Sequence, residues 1–369
     1  MGIKIAIIGS RGIPNQYGGF EQLAEHLSVG LVNKGHTVTV YNSDHHPYKE
    51  NEWNGVEIVH CADKEHLLGT AGQFIYDLNC VRNARKRNFD VMLFLGYTSS
   101  SIWGKLYPKK PVIISNMDGL EWKRRKYSLS VRKFLKYAEK LAVKHSDFYI
   151  ADSQVIQSYL KGRYNINSEY IAYGAAVIND DSAALLTRHG LEKQDYFMLM
   201  ARMEPENNIE TILDGFHLCQ TEKKFVVVGN TNNHFGKYIE KKFAQDKRIK
   251  FLGALYDPMQ THTLISNSFI YFHGHSVGGT NPSLLEAMAN KALIVAHDNV
   301  FNRAVLQKDA YYFTNADDIK YYIEKIKRKN SESKMIGENM QKITVQYSWP
   351  DIIDQYENFI LNCFQQSAR

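Results

Sequence analysis

The sequence predicts an α/β protein made of two doubly wound units, each a parallel sheet with helices on both faces. Three observations predict it. Short apolar runs rich in β-branched and aromatic residues recur along the whole chain, with segments of helical spacing between them. Fully apolar strands that alternate with helices are those of parallel sheets buried on both faces. The alternation weakens once, over residues 173–195 (YGAAVINDDSAALLTRHGLEKQD), and then restarts, and a length of 369 residues suits about two domains.

Taken in order, KIAIIGS reads as the first strand. Phe20, Leu23, Ala24, Leu27 and Leu31 follow at the spacing of one helix face. HTVTVYN, VMLFLG, PVIIS and DFYIAD are the further strands of the first half. After the connection come YFMLMA, KFVVVGN, IKFLGAL, FIYFHG, ALIVAHD and AYYF. This divides the chain into residues 1–175, 176–350 and a last helix over 351–369, WPDIIDQYENFILNCF and its tail. In doubly wound sheets ligands bind beyond the carboxyl ends of the strands, so chemistry is sought in the strand-end loops.

Bulk properties exclude several classes. The net charge of +6 is too mild for a dedicated nucleic-acid binder, yet suits nucleotides, phosphorylated lipids or a membrane surface. The four cysteines, Cys61, Cys80, Cys219 and Cys363, form no C-x-x-C pair, which argues against zinc or redox chemistry and for reduced thiols. The opening MGIKIAIIGS lacks the length and cleavage site of a secretory leader, and no apolar run approaches the roughly 18 residues of a membrane span. A cytoplasmic protein is expected, with the inner face of the membrane as a peripheral contact.

The segment HGHSVGGTNPSLLEAM (273–288) joins a strand to a helix, with Asn281 at the N-cap position and Pro282 at the first helical position. Gly278 and Gly279 permit close backbone approach. The N–H groups of Gly279, Thr280 and Asn281, with the helix dipole, suit a diphosphate, and Glu286, one turn in, suits the hydroxyls of a ribose. The competing reading is a tight loop followed by a solvated glutamate.

The LLEAMA element resembles family 4 retaining glycosyltransferases, whose GT-B fold has two facing Rossmann-like domains and an inter-domain cleft. IAIIGSRGIPNQYGGFEQLAEHL, NMDGLEWKRRKYS and HSVGGTNPSLLEAM are similar to a narrower bacterial subgroup, the rhamnosyltransferases of capsule and O-antigen assembly. The resemblance implies an N-terminal acceptor domain, a C-terminal nucleotide-sugar domain, and a last helix that crosses back to the first. Of the paired glutamates of that family only the second, Glu286, is present, because the first falls at Gly278. Within MARMEPENNIE the resemblance places Arg202 on the donor diphosphate, while the usual lysine is Asn207. It also places Gly229, Asn230 and the backbone at Leu255 near the nucleotide.

On the acceptor side, GSRGIPNQYGGFE lacks the G-x-G-x-x-G spacing and the later acidic residue of a nicotinamide site. The resemblance brings Gly18 and Gly19 to the donor diphosphate or the acceptor. Tyr17 suits stacking on a sugar, Glu21 suits a helix cap or a hydroxyl, and Arg11 suits a phosphate or a surface loop. Asp118, at a strand end, suits orienting or deprotonating the acceptor hydroxyl, against the alternative of a structural Asp-Gly turn. Glu121, Trp122 and Arg124 suit an acceptor groove. Over 123–144, Val131, Phe134, Leu135, Ala138, Leu141 and Ala142 form an apolar stripe expected to pack on the core. Arg132, Lys136, Lys140 and Lys144 form a basic ridge, either solvated or set against anionic lipid.

No D-x-D occurs, so no metal or cofactor is expected. Arg202, backbone amides and a helix end would stabilise the leaving diphosphate, and His275 would contact the donor sugar or phosphate. The expected partners are a nucleotide-sugar donor and a lipid-linked glycan acceptor, not nucleic acid. Two other readings stand beside this one: a nucleotide-sugar epimerase of the same architecture, and a non-catalytic sugar-nucleotide binding protein.

Overall fold

The structure is a computed structural model that describes residues 2–117, 119–124, 126–178 and 183–367. The chain divides into two compact units. Unit 1 is Met1–Lys123, Tyr127–Tyr173 and Trp349–Arg369; unit 2 is Arg124–Lys126 and Gly174–Ser348.

Unit 1 is built on strands β1 (Lys4–Ile8), β2 (Thr37–Ser43), β3 (Glu52–Trp53), β4 (Val56–Cys61), β5 (Val91–Leu95), β6 (Val112–Asn116), β7 (Phe148–Ala151) and β8 (Glu169–Tyr170), in sheet order β3-β4-β2-β1-β5-β6-β7-β8. Every pairing is parallel except β3 with β4. Its helices are α1 (Gly19–Asn33), α2 (Glu65–Leu68), α3 (Gly72–Ala84), α4 (Leu129–His145) and α5 (Gln154–Tyr164), together with the last helix of the chain, Trp349–Ser367. The apolar runs of β1 and β5 are buried along nearly their whole length, as strands covered on both faces must be. The sequence reading missed β3, β4 and β8. VEIVHC alternates buried and half-buried residues, a weaker apolar signal than a central strand gives, and β3 and β8 are two residues each.

Helix α1 buries Leu23, Ala24, Leu27 and Leu31, the face the spacing selected. Helix α4 departs from expectation. Leu135, Ala138 and Ala142 are buried, but Val131 is 39% and Phe134 37% exposed. The stripe is therefore core only in its C-terminal half. At the N-terminal half the helix carries Leu129, Val131, Phe134 and Tyr137 on its surface.

Unit 2 has β9 (Tyr196–Met200), β10 (Lys224–Val228), β11 (Ile249–Gly253), β12 (Ile270–His273), β13 (Ile294–His297) and β14 (Tyr311–Phe313), all parallel, in order β11-β10-β9-β12-β13-β14. Its helices are α6 (Ala183–Arg188), which lies inside the stretch read as a connection, α7 (Ile209–His217), α8 (His234–Lys242), α9 (Pro258–Ser266), α10 (Pro282–Ala289), α11 (Val300–Leu306), α12 (Ala316–Lys325) and α13 (Asn330–Gln346). The terminal helix of unit 1 is then α14. Phe197, Phe216, Phe225 and Phe272 interlock in the core with ring centroids 5.1–6.3 Å apart. Side chains of Asn233, Asp257, Asn281, Asn299 and Asn315 cap the helices that follow the strands. Each satisfies a backbone N–H that a helix start leaves unpaired.

Within unit 1, α14 packs on α1. Trp349 stacks on His26 at 4.2 Å, Lys34 pairs with Asp354 (2.6 Å) and Glu357 (2.9 Å), and the Asn116 side-chain amide donates to the Tyr356 hydroxyl (2.9 Å). A glycine inside a helix is costly, and Gly30 has a packing reason: a Cβ there would lie 2.6 Å from Ile353 Cδ1. Gly30→Val is therefore expected to lower stability by about 1–3 kcal/mol through overpacking. Ile353→Ala in the same chain should recover part of that loss, as read from denaturant midpoints.

Candidate active site

In unit 2 the order β11-β10-β9-β12-β13-β14 reverses direction between β9 and β12. The chain leaves β9 toward one side and β12 toward the other, so the loops after these neighbouring strands meet in a crevice that no crossover helix fills. Arg202 lies on the first loop and His275–Asn281 on the second.

The two loops are tied together. The Glu206 carbonyl accepts from Ser276 N (3.1 Å) and Ser276 Oγ (2.7 Å), and Asn208 Nδ2 donates to the Gly274 carbonyl (2.8 Å). Gly274 has to be glycine, because a Cβ would lie 2.0 Å from the Asn207 carbonyl oxygen. From the next strand, Asn299 Nδ2 and Asn302 Nδ2 each donate to the His275 carbonyl at 3.0 Å. Asn207, where a lysine was expected, is buried and turned back on its own loop, donating to the Arg202 carbonyl at 2.8 Å.

Gly278 adopts φ +144°, yet nothing lies within 4 Å of where its Cβ would be. Backbone conformation, not crowding, is what excludes a side chain here. Asn281 caps α10 by accepting from Ser283 N at 3.1 Å, with Pro282 in the first turn. Thr280 is buried, and Glu286 stands half-buried one turn into the helix. Arg202 and Asn230 are exposed; Leu255 is half-buried beyond β11, and Gly229 N bonds the Gly253 carbonyl at 2.8 Å.

Several buried polar atoms here have no protein partner: Glu206 Oε2, Asn207 Oδ1 and His275 Nδ1 on the loops, and His273 Nδ1 and Nε2 at the end of β12. Such atoms cost free energy unless water or a ligand meets them. Glu206 was missed in the sequence because PEN reads as an ordinary helix start. His273 and His275 stack at 4.5 Å. Burial pushes His273 down to about 3, helped by His297. Burial, then His273, Arg202 and Arg124, holds His275 well below the usual imidazole range. Both rings are neutral near pH 7, so His275 offers hydrogen bonds, not charge.

The acceptor-side candidates scatter more widely. Asp118 lies outside the described residues. Arg11 forms a fork with Glu65 (Nε–Oε2 3.0 Å, Nη2–Oε1 2.7 Å) and lies 3.8 Å over the Tyr17 ring. Burial is the largest influence and lowers its pKa, but the Glu65 hydrogen bond together with the charge interactions of Tyr17, Glu65 and Glu21 raises it overall. Arg11, read from the sequence as a phosphate contact or a surface loop residue, is thus held by Glu65 within unit 1. Glu21 is buried and accepts from Arg11 N (2.7 Å), which braces the loop. Gly18 is the N-cap of α1 and Gly19 its first residue. Arg11 and Tyr17 border a pocket of about 230 Å³ in unit 1, shared with His45, Asp63, Glu65 and His66.

Trp122 is held through its N–H to Glu139 Oε2 (3.2 Å). Glu139, buried on α4, also accepts the hydroxyls of Tyr97 (3.2 Å), Tyr159 (2.7 Å) and Tyr164 (2.6 Å). The Trp122 indole N–H is thus tied to the buried Glu139 cluster. Glu121 forms a 3₁₀ turn with it. Arg124 belongs to unit 2, where its Nη1 lies 3.5 Å from Glu206 Oε1. Among the described residues no group of three His, Cys, Asp or Glu side chains could hold a metal ion.

Comparison with known proteins gives this arrangement its class. Residues 184–343 match the family model Glycosyl transferases group 1, and residues 3–176 match a domain of unknown function, DUF1972. No curated protein sequence matches the chain. Similar solved structures include sucrose-phosphate synthase from Thermosynechococcus elongatus, at TM-score 0.83 and 14% identity over 99% of this chain and 100% of that one. Another is Anabaena Alr3699/HepE in complex with UDP-glucose (TM-score 0.76, 14% identity, 98% and 100%). A third is the catalytic domain of starch synthase IV from Arabidopsis thaliana, bound to ADP and acarbose (TM-score 0.72, 13% identity, 99% and 100%). The fold is that of GT-B glycosyltransferases, and the chain is a glycosyltransferase.

The neutral, buried His273 has a measurable consequence. Its ordinary value of about 6.5 falls to about 3 on folding, so its contribution is present above about 6.5 and is lost as pH drops toward 3. His273→Phe is expected to show a smaller fall in denaturant midpoint from pH 7 to pH 5 than the parent protein.

Proposed function

We propose that this glycosyltransferase takes a nucleoside diphosphate sugar on the twin loops of unit 2 and transfers the sugar to a hydroxyl with retention of anomeric configuration. The observation that carries the reading is the set of partnerless buried polar atoms on the loops after β9 and β12, at the strand-order reversal and beside an exposed guanidinium. In this reading Arg202 and the backbone of Gly278–Asn281 hold the diphosphate, and Glu286 accepts the ribose hydroxyls. Gly229, Asn230 and Leu255 border the nucleotide. His275, being neutral, donates or accepts a hydrogen bond at the sugar or a phosphate oxygen. The departing diphosphate oxygen takes the acceptor proton on the same face, and Asp118 orients the acceptor hydroxyl. No metal takes part. The similar solved structures in complex with UDP-glucose and bound to ADP support a nucleoside diphosphate as the donor's carrier.

The narrower resemblance to family 4 rhamnosyltransferases supports a 6-deoxy sugar, rhamnose, as the group transferred. It supports a lipid-linked glycan of capsule or O-antigen assembly as the acceptor. The surface of α4 fits such an acceptor. Leu129, Val131, Phe134 and Tyr137 are exposed beside Lys136, Lys140 and Lys144 of the basic ridge, whose Arg132 is half-buried, and beside Lys133, a mixture suited to the headgroup region of an anionic bilayer. No helix among the described residues is long and apolar enough to cross a membrane.

Two experiments test these assignments. In a nucleotide-sugar panel assayed for turnover, Arg202→Ala and Glu286→Gln are each expected to lower kcat/KM by about tenfold or more, since each removes hydrogen bonds to or from a charged group. Unchanged turnover in both would remove this site from the reaction. Separately, the parent protein is expected to sediment with vesicles containing phosphatidylglycerol but not with pure phosphatidylcholine, and Phe134→Glu together with Tyr137→Glu to abolish that sedimentation.

A further inference from the structure

A donor diphosphate carries a negative charge on each phosphoryl group and gains another on departure. The loops after β9 and β12 must meet that charge in the presence of Glu206, a carboxylate whose side chain is fully buried. Both histidines there are neutral, and Asn207 stands where a cation was expected. Arg202 alone would face a ligand charge and a buried protein charge together.

Arg124 and Lys126 change this balance. Each pairs with the loop after β9: Arg124 Nη1 lies 3.5 Å from Glu206 Oε1, and Lys126 Nζ lies 2.9 Å from Glu204 Oε1. The Arg124 side chain is only 12% exposed. Its distance to Glu206 is longer than the roughly 2.7–2.9 Å of a tight charged pair. Glu206 thus offsets the charge of the guanidinium and sets its place. A guanidinium is a planar fork that can hold a carboxylate on one edge and a phosphate on another. Arg124 and Arg202 both act electrostatically on His275, whose loop leads to Gly278–Asn281.

We propose that Arg124 is a donor-binding residue that supplies a second guanidinium to the diphosphate beside Arg202, positioned by Glu206. The inference rests on the nucleotide-sugar reading of this site and moves Arg124 from the acceptor side to the donor side. It also accounts for Asn207: with Arg124 docked on the same loop, that position is left to brace the Arg202 carbonyl.

The test compares UDP, dTDP and GDP, each against its monophosphate, by titration calorimetry, and uses the base that the parent protein binds most tightly. Arg124→Gln is expected to weaken the diphosphate about tenfold or more and the monophosphate less than about twofold. Arg124→Lys, which keeps the charge and loses the fork, should fall between parent and Arg124→Gln. Glu206→Gln should lose part of the same preference for the diphosphate. In turnover assays Arg124→Gln should raise the donor KM or lower kcat while leaving the acceptor KM unchanged. If Arg124→Gln affects diphosphate and monophosphate alike, or neither, while Arg202→Gln selectively weakens the diphosphate, the proposal is wrong and the donor-site reading stands. If Arg202→Gln also leaves diphosphate binding intact, the donor-site reading itself fails. Should Arg124→Gln not fold, the Arg124→Lys comparison decides in the same way.

Discussion

The strand-order reversal between β9 and β12 is the constraint on which the rest of the site depends. Parallel neighbours cannot be joined by a tight turn, so each strand is followed by a crossover. At the reversal the two crossovers depart in opposite directions and leave their first residues side by side. The loops are then fastened by the Glu206 carbonyl, by Asn208 and by the absence of a side chain at Gly274. These backbone contacts fix the approach of Arg202 to the loop that leads into α10.

Fastening by main-chain carbonyls leaves a particular electrostatic environment. Two stacked imidazoles are kept neutral by burial, one carboxylate is buried beneath Arg124, and several polar atoms remain without partners. A site arranged in this way interacts with a ligand through hydrogen bonds of fixed direction and through guanidinium charge. It needs little rearrangement as negative charge develops, which is the condition for electrostatic stabilisation of a leaving diphosphate. In unit 1 the comparable strand-end loop has its charges already matched, Arg11 with Glu65 and the Arg11 amide with Glu21.

Most of the fold was legible because buried parallel strands announce themselves as unbroken apolar runs. Central strands such as KIAII and KFVVV have no polar face to hide the pattern. The short edge strands β3 and β8 have too few residues to carry it, and β4 at one side of the sheet alternates. The helix of α4 was legible, but not which part of its apolar stripe meets a core. Spacing defines a face, and only neighbouring elements decide whether something covers it. Hence Val131 and Phe134 lie on the surface while Leu135 and Ala138 do not.

The site divides in the same way. Asn281, Pro282 and Glu286 could be placed from sequence, since caps, first-turn prolines and helical spacing are local properties of a few adjacent residues. The amino-acid sequence by itself determined two parallel α/β halves, their strand-end loops, and a phosphate-compatible turn into α10. The tertiary structure decided which polar and charged groups are paired over long sequence separations: Arg11 with Glu65, Trp122 with Glu139, Arg124 with Glu206. These partners are separated by 54, 17 and 82 residues. The physical reason is range: hydrogen bonds and ion pairs act over a few ångströms of space, and sequence spacing predicts that proximity only within a helix, a strand or a turn.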